Sequence, residues 1–212
     1  MFGIINYWAF LLAGILLNIT PGSDTMYILG RSISQGKQAG MVSALGIATG
    51  TLVHTIFAAI GLSVILAQSA MAFTIVKYAG AAYLIFLGVK ALLSKSSTTS
   101  ETAAPPKISL QRIYLSGILT NVLNPKVALF FLAFLPQFID PAYTSNTLSF
   151  LLLGITFVTT GLVWCTCLAV FSARLSDYFT QNPTIKSYLD KATGFVFILL
   201  GIKLAFTKKQ VC

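Results

Sequence analysis

Three stretches of this chain contain no aspartate, glutamate, lysine or arginine: Phe2 to Ser23, Gln38 to Val76 and Pro141 to Ala173. A soluble core helix does not need such length, whereas a bilayer crossing takes roughly 20 predominantly apolar residues. Composition points the same way. Of 212 residues, 56% are apolar and only 9% charged, too little polar surface for a soluble domain. The expected fold is therefore all-α and integral to the membrane.

A formal charge of +9 invites a nucleic-acid reading, but the lysines and arginines stand singly at the ends of apolar segments. That distribution reads as membrane topology and not as phosphate binding, so no nucleic-acid partner is expected. The first apolar run lacks the basic start and small-residue cleavage site of a signal peptide and is expected to stay as the first span. Cys165, Cys167 and Cys212 are too few and too badly spaced for a disulfide framework or a zinc site, and Cys165 and Cys167 read as small apolar packers.

Glycine, proline, serine and charge divide the apolar sequence into six predicted spans, about 3 to 30, 39 to 67, 70 to 93, 111 to 135, 147 to 173 and 188 to 207. Only Gln68 and Ser69 separate the second from the third before Lys77, so five spans stay open as an alternative. Ser94 to Lys107 (SKSSTTSETAAPPK) is rich in Ser, Thr and Pro and is expected to be a mobile polar loop. The whole chain, 1–212, reads as one transmembrane domain, with repeat one about 1–93, a linker about 94–110 and repeat two about 111–212.

With six spans, Arg31, Lys37, Lys95, Lys107, Arg112, Arg174 and Lys186 share one side of the membrane. The positive-inside bias puts that side in the cytoplasm and both termini outside, although Lys208 and Lys209 oppose it.

The first span contains GILLNITP, from Gly14 to Pro21, and the fourth GILTNVLNP, from Gly117 to Pro125. The third reads YLIFLGVKALL from Tyr83, and the sixth FVFILLGIKLAF from Phe195. Apolar sequences resemble one another cheaply, but a shared Gly-Ile-Leu-x-Asn start and Leu-Gly-[Val/Ile]-Lys finish favour two copies of a three-helix unit. An odd number of spans inverts the second copy. Inverted repeats with interrupted helices mark secondary transporters, whose site lies between the copies near the midplane.

The first span is interrupted at Thr20-Pro21-Gly22-Ser23-Asp24, where proline and glycine together break or kink a helix. Backbone groups freed there are tolerated only against protein or trapped water, which points the break toward a cavity. Ser23 or Asp24 is placed to cap the second half-helix, whose positive end favours an anionic group such as an α-carboxylate. Asp24 is the only acidic residue before Glu101. It is a candidate to receive an ammonium group or carry a proton; the competing reading is an interfacial cap paired with Arg31.

The fourth span has the counterpart Asn121-Val122-Leu123-Asn124-Pro125-Lys126. Lys126 is a candidate partner for Asp24 or for a substrate carboxylate, against the reading of a lysine snorkelling to the headgroups. Asn18, Asn121 and Asn124 bind substrate or else satisfy freed backbone and link helices. Gly40, Gly46, Gly50 and Gly61 give the second span a small-residue face suited to close packing, and such faces allow a homodimer without demanding one. His54 is a proton shuttle or a neutral bridge to a neighbouring helix. Gly30 to Lys37 is expected to be a loop that supplies cytoplasmic charge, with gating as the sharper alternative.

Two regions carry a resemblance. TPGSDTMYILGRSISQGKQAGMVSALGIATG, from Thr20 to Gly50, and LNPKVALFFLAFLPQF, from Leu123 to Phe138, are similar to the two signature regions of LysE/RhtB translocators, and the likeness covers nearly the whole chain. Family members typically carry Thr-Pro-Gly-Pro before the aspartate; Ser23 replaces the second proline and softens the predicted break. The resemblance implies export of amino acids or their derivatives across the cytoplasmic (inner or plasma) membrane by exchange with protons. It implies no enzyme activity and no cofactor beyond the proton gradient. One acid and one intramembrane lysine suit a neutral zwitterion of homoserine, threonine or leucine type better than lysine or arginine, because a second cationic group needs another partner.

Rival classes are a thiol-disulfide carrier, which needs a cysteine in the first and fourth spans, and a metal-ion exporter, which needs clustered ligands where only Asp24 and His54 stand. A non-transporting membrane adaptor remains, separable by whether liposomes carrying the protein move any amino acid.

Overall fold

A computed structural model describes residues 2–62, 107–140, 143, 146–172 and scattered positions between 71 and 93 and between 191 and 206, the scattered positions being helical. Among the described residues there are six α-helices and no multi-residue strand. The predicted boundary at Gln68 and Ser69, most of the Leu-Gly-x-Lys repeat and the linker up to residue 106 lie outside the described residues.

Helix α1 (Tyr7–Ile19) stops where Pro21 cannot donate an amide hydrogen. Thr20, as the residue before proline, turns to the extended region at ψ 121°. Its amide and its hydroxyl both donate to the carbonyl of Leu16, at 3.0 and 2.6 Å. Gly22 is extended, and α2 (Ser23–Gln35) begins after it. The break occurs although Ser23 stands where the family pattern has proline, so Pro21 and Gly22 suffice for it.

Neither Ser23 nor Asp24 caps α2, contrary to expectation. Gly22 takes the capping position, and the two polar residues fall inside the first turn, where side chains no longer reach back to the free amides. Gly30 to Gln35 is likewise no loop but the last part of α2. Gly36 alone forms the joint to α3 (Lys37–Phe57), at a φ of 86° that favours glycine.

Helix α3 runs on through a π-helical turn, Ala58–Leu62, and its apolar stretch Lys37–Gly61 is 25 residues long. Helix α4 (Leu110–Val122) is capped by Ser109, whose hydroxyl accepts from the Arg112 amide at 3.4 Å. After a break at Leu123 and Asn124 the chain turns by 47° into α5 (Pro125–Leu129), a π turn (Phe130–Phe134) and a 3-10 turn (Leu135–Phe138). Pro125 sits at the start of α5, where its missing amide hydrogen costs no helical bond. Helix α6 (Asn146–Val170) is a second uninterrupted 25-residue apolar helix. The protein is thus a multi-pass helical membrane protein; among the described residues two helices are long and apolar enough to cross, or three if the bent α4–α5 pair is one span.

Without a hydrophobic force between helices in lipid, close approach has to hold them together. Helix α3 supplies it. A Cβ on Gly46 would collide with the Tyr114 carbonyl, and one on Gly117 would sit 3.1 Å from the Ser43 carbonyl, so α3 and α4 touch backbone to backbone. Gly40 and Gly50 instead make room for side chains, those of Ser32 and Asn121, whereas Gly61 faces open space. Outward, Trp8, Leu12, Leu45, Leu52, Ile56 and Ile155 are exposed, as a lipid-facing surface requires.

The bundle has two distinct ends. At one, Ile4 bridges Ile139, the Ile5 amide donates to Phe138 at 2.9 Å and the Asp140 amide to Gly3 at 2.7 Å. Below this tie lie the packed rings of Phe10, Phe130, Phe134, Phe138 and Phe157, with neighbouring centroids 4.6 to 6.4 Å apart. At the other end Gln35 clamps Ile108, donating to its carbonyl at 2.8 Å and accepting from its amide at 3.0 Å. That clamp gathers Arg31, Lys37, Lys107 and Arg112 around one end.

Candidate functional site

The two helix breaks face each other, and each is held by side chains from the opposite half of the chain. Asp24, in the first turn of α2, accepts the side-chain amide of Asn121 at 2.8 Å on one oxygen. Its other oxygen accepts the amide of Asn124 at 3.1 Å and the neighbouring Ser23 hydroxyl at 3.3 Å. In return the Lys126 ammonium donates to the carbonyls of Leu17 at 3.1 Å and Thr20 at 3.0 Å. Those are the carbonyls that α1 leaves free where proline ends it. This lysine thus caps a helix C-terminus, where the backbone dipole favours positive charge.

Local sequence explains why the parts reach. Gly22 leaves space for the ammonium: a Cβ there would lie 3.3 Å from Lys126 Nζ and 3.6 Å from its Cε. Gly50 does the same for Asn121, which a Cβ would approach to 2.7 Å. Asn124 caps α5, its carbonyl oxygen accepting from the Lys126 amide at 3.0 Å while its NH2 is spent on Asp24. Asn121 is equally committed. Its side-chain oxygen accepts from Thr51 at 3.2 Å, and its backbone carbonyl lies 3.2 Å from His54 Nε2. A carbonyl can only accept, so that nitrogen carries the proton. His54 also stacks on Phe131, with centroids 5.8 Å apart, and so bridges helices.

Asp24 and Lys126 line one cavity between α1, α2, α3, α4, α5 and α6, together with Asn18, Thr51, Asn121 and Cys165. Its room is about 30 Å³, enough for water and far too little for an amino acid. Leu17, Ile47, Phe157 and Trp164 supply apolar wall.

Of the residues expected at a site, Asn18, Asp24, Asn121 and Lys126 line this cavity. Thr20 and Gly22 serve Lys126, through a carbonyl and through space, and Asn124 holds Asp24 from a buried position. Pro21 shapes the α1 break, while Ser23 and Pro125 are exposed at the two breaks. Sequence reasoning missed Thr25, Thr51, Phe157 and Trp164 and took Cys165 for packing alone. Thr51 had one available signal: it lies one residue from Gly50 and three from His54, on the face that α3 turns to Asn121.

A family model described as LysE type translocator matches residues 15–208, which include both breaks and every cavity-lining residue. The chain belongs to the LysE/RhtB family. Members of this family are translocators of small molecules and not enzymes. Among its relatives, an uncharacterized membrane protein of Vibrio cholerae is 33% identical over 205 residues, 96% of this chain and 98% of that one. The homoserine/homoserine lactone efflux protein of Salmonella typhimurium is 33% identical over 199 residues, covering 94% and 95%. The leucine efflux protein of the same organism is 26% identical over 204 residues, 96% of each chain. No solved structure matches the chain.

Proposed function

We propose that this LysE/RhtB protein exports small neutral amino acids of homoserine, threonine or leucine type across the cytoplasmic membrane, by alternating access coupled to protons. The carrying observation is the small cavity that Asp24 and Lys126 share, with each charge anchored on the opposite break. One carboxylate and one ammonium in one cavity complement a zwitterion and leave a dibasic substrate with an unmatched charge. Full-length similarity to homoserine and leucine efflux proteins supports the same cargo class.

The anchors also suggest how binding and movement are linked. A substrate ammonium competes with the Asn121 and Asn124 amides for Asp24, and a substrate carboxylate competes with the Leu17 and Thr20 carbonyls for Lys126. Each anchor is a hydrogen bond to a charged group, worth about 1.5–3 kcal/mol. Exchanging them for substrate contacts unpins the two halves at little net cost and lets them rock about the site. A proton on Asp24 substitutes for the substrate ammonium on the return.

In this reading the chain has six spans in two inverted three-helix repeats, with the Gln35–Ile108 end and its basic residues in the cytoplasm and both termini outside. The test is counterflow of labelled amino acids in proteoliposomes, with and without a pH gradient. Asp24→Asn is expected to abolish exchange while the protein still inserts; unimpaired exchange by that variant removes the central claim.

A further inference from the structure

Asn18 and Trp164 line two cavities at once. Inward they border the small cavity of Asp24 and Lys126, and outward, with Ile15, Ile19, Val163 and Cys167, they border a groove of about 300 Å³ between α1 and α6. That is ten times the room of the inner cavity and at the lower end of what small-molecule sites enclose, roughly 300–1,000 Å³.

Among the described residues the groove carries no charged side chain, and its hydroxyls are already spent. Thr159 donates to the Ile155 carbonyl at 2.8 Å, and Thr160 donates to Thr156 at 3.0 Å while accepting from Asn18 at 3.2 Å. What it offers an occupant is therefore apolar. The Trp164 indole N–H is buried and makes no hydrogen bond among the described residues. A buried donor left unpaired costs free energy that a polar group of a ligand would recover.

We propose that this groove is the side-chain subsite of the transport cavity. The amino-acid head group lies between Asp24 and Lys126, and an aliphatic side chain passes Asn18 and Trp164 into the groove, with the indole N–H as a donor at the crossing. The proposal rests on the export reading above and adds a size and polarity rule. Uncharged chains up to leucine size are favoured, and a cationic chain is refused for want of an acceptor of opposite charge.

Cys167 is a native reporter in the groove. The wild-type protein in proteoliposomes is treated with N-ethylmaleimide, and modification of Cys167 is followed by peptide mass spectrometry, which separates it from Cys165. Leucine is expected to slow labelling of Cys167 at least fivefold, and alanine less than twofold, each at a concentration that saturates its counterflow. Along alanine, 2-aminobutyrate and norvaline, the half-inhibitory concentration is expected to fall roughly three- to fourfold per methylene. Cys167→Phe is expected to lower the ratio of leucine to alanine counterflow at least tenfold. Equal protection by leucine and alanine, or none while leucine counterflow persists, overturns the subsite. Labelling that follows lipid acyl-chain composition and no amino acid assigns the groove to lipid and overturns it as well. Absence of counterflow for every amino acid instead defeats the export reading itself, a separate and recognisable failure.

Discussion

Asn121 and Asp24 are 97 residues apart in the chain and 2.8 Å apart across the cavity. The bond joins the end of α4 to the start of α2, and Asn121 completes it only because Gly50 lets it press against α3. Asn121→Ala removes the donor to Asp24 and the acceptor of Thr51 at a buried position. It is expected to lower stability by about 1–3 kcal/mol, read as thermal unfolding in detergent. Asn121→Asp keeps the shape but sets a second carboxyl against Asp24, and counterflow is expected to be lost.

Lys126 caps α1 through a passage that glycine keeps open. Lys126→Met is expected to reduce counterflow to below a tenth of wild type, with membrane insertion intact, because the Leu17 and Thr20 carbonyls lose their donor. Lys126→Arg is expected to fare no better, because a planar guanidinium is bulkier than the compact ammonium it replaces. Gly22→Ala narrows the same passage and is expected to cut exchange roughly tenfold; its backbone angles suit alanine, so expression levels should hold.

His54 donates to the Asn121 carbonyl, a task a glutamine amide also performs. His54→Gln is expected to retain most activity and to show the wild-type pH profile of counterflow between about pH 5 and 8. A profile that flattens would make His54 a proton carrier after all.

The glycines of α3 differ sharply in what surrounds them. Gly46→Ala forces a methyl against the Tyr114 carbonyl and is expected to destabilise the protein by about 1–3 kcal/mol. Gly61→Ala meets nothing within 4 Å and is expected to leave the melting temperature unchanged within about 1 °C.

Both helix breaks were legible in the sequence because proline acts locally: Pro21 and Pro125 end or start helices through their own missing hydrogens. Asp24 and Lys126 were legible because charge inside an apolar run is rare enough to stand out. The exchange of anchors between them was not legible, since no local pattern says that Lys126 reaches Leu17 or that Asn121 turns to Asp24. Thr51, Cys165 and Trp164 look like ordinary helix residues until α3 and α6 are brought against α1. The extension of α2 to Gln35 escaped for a similar reason. Ser32 and Ser34 read as loop residues, but Ser34 back-bonds to the Gly30 carbonyl at 2.7 Å within the helix, while Gln35 finds its partners 73 residues away.

The two-bond clamp between Gln35 and Ile108 copies the pairing of neighbouring strands with a single side chain. It fixes where the second half of the molecule begins by a contact that does not depend on the peptide leading into it. The halves therefore carry their own address for one another, and a gene divided within the Ser-Thr-Pro segment encodes two polypeptides equipped to meet again in the membrane.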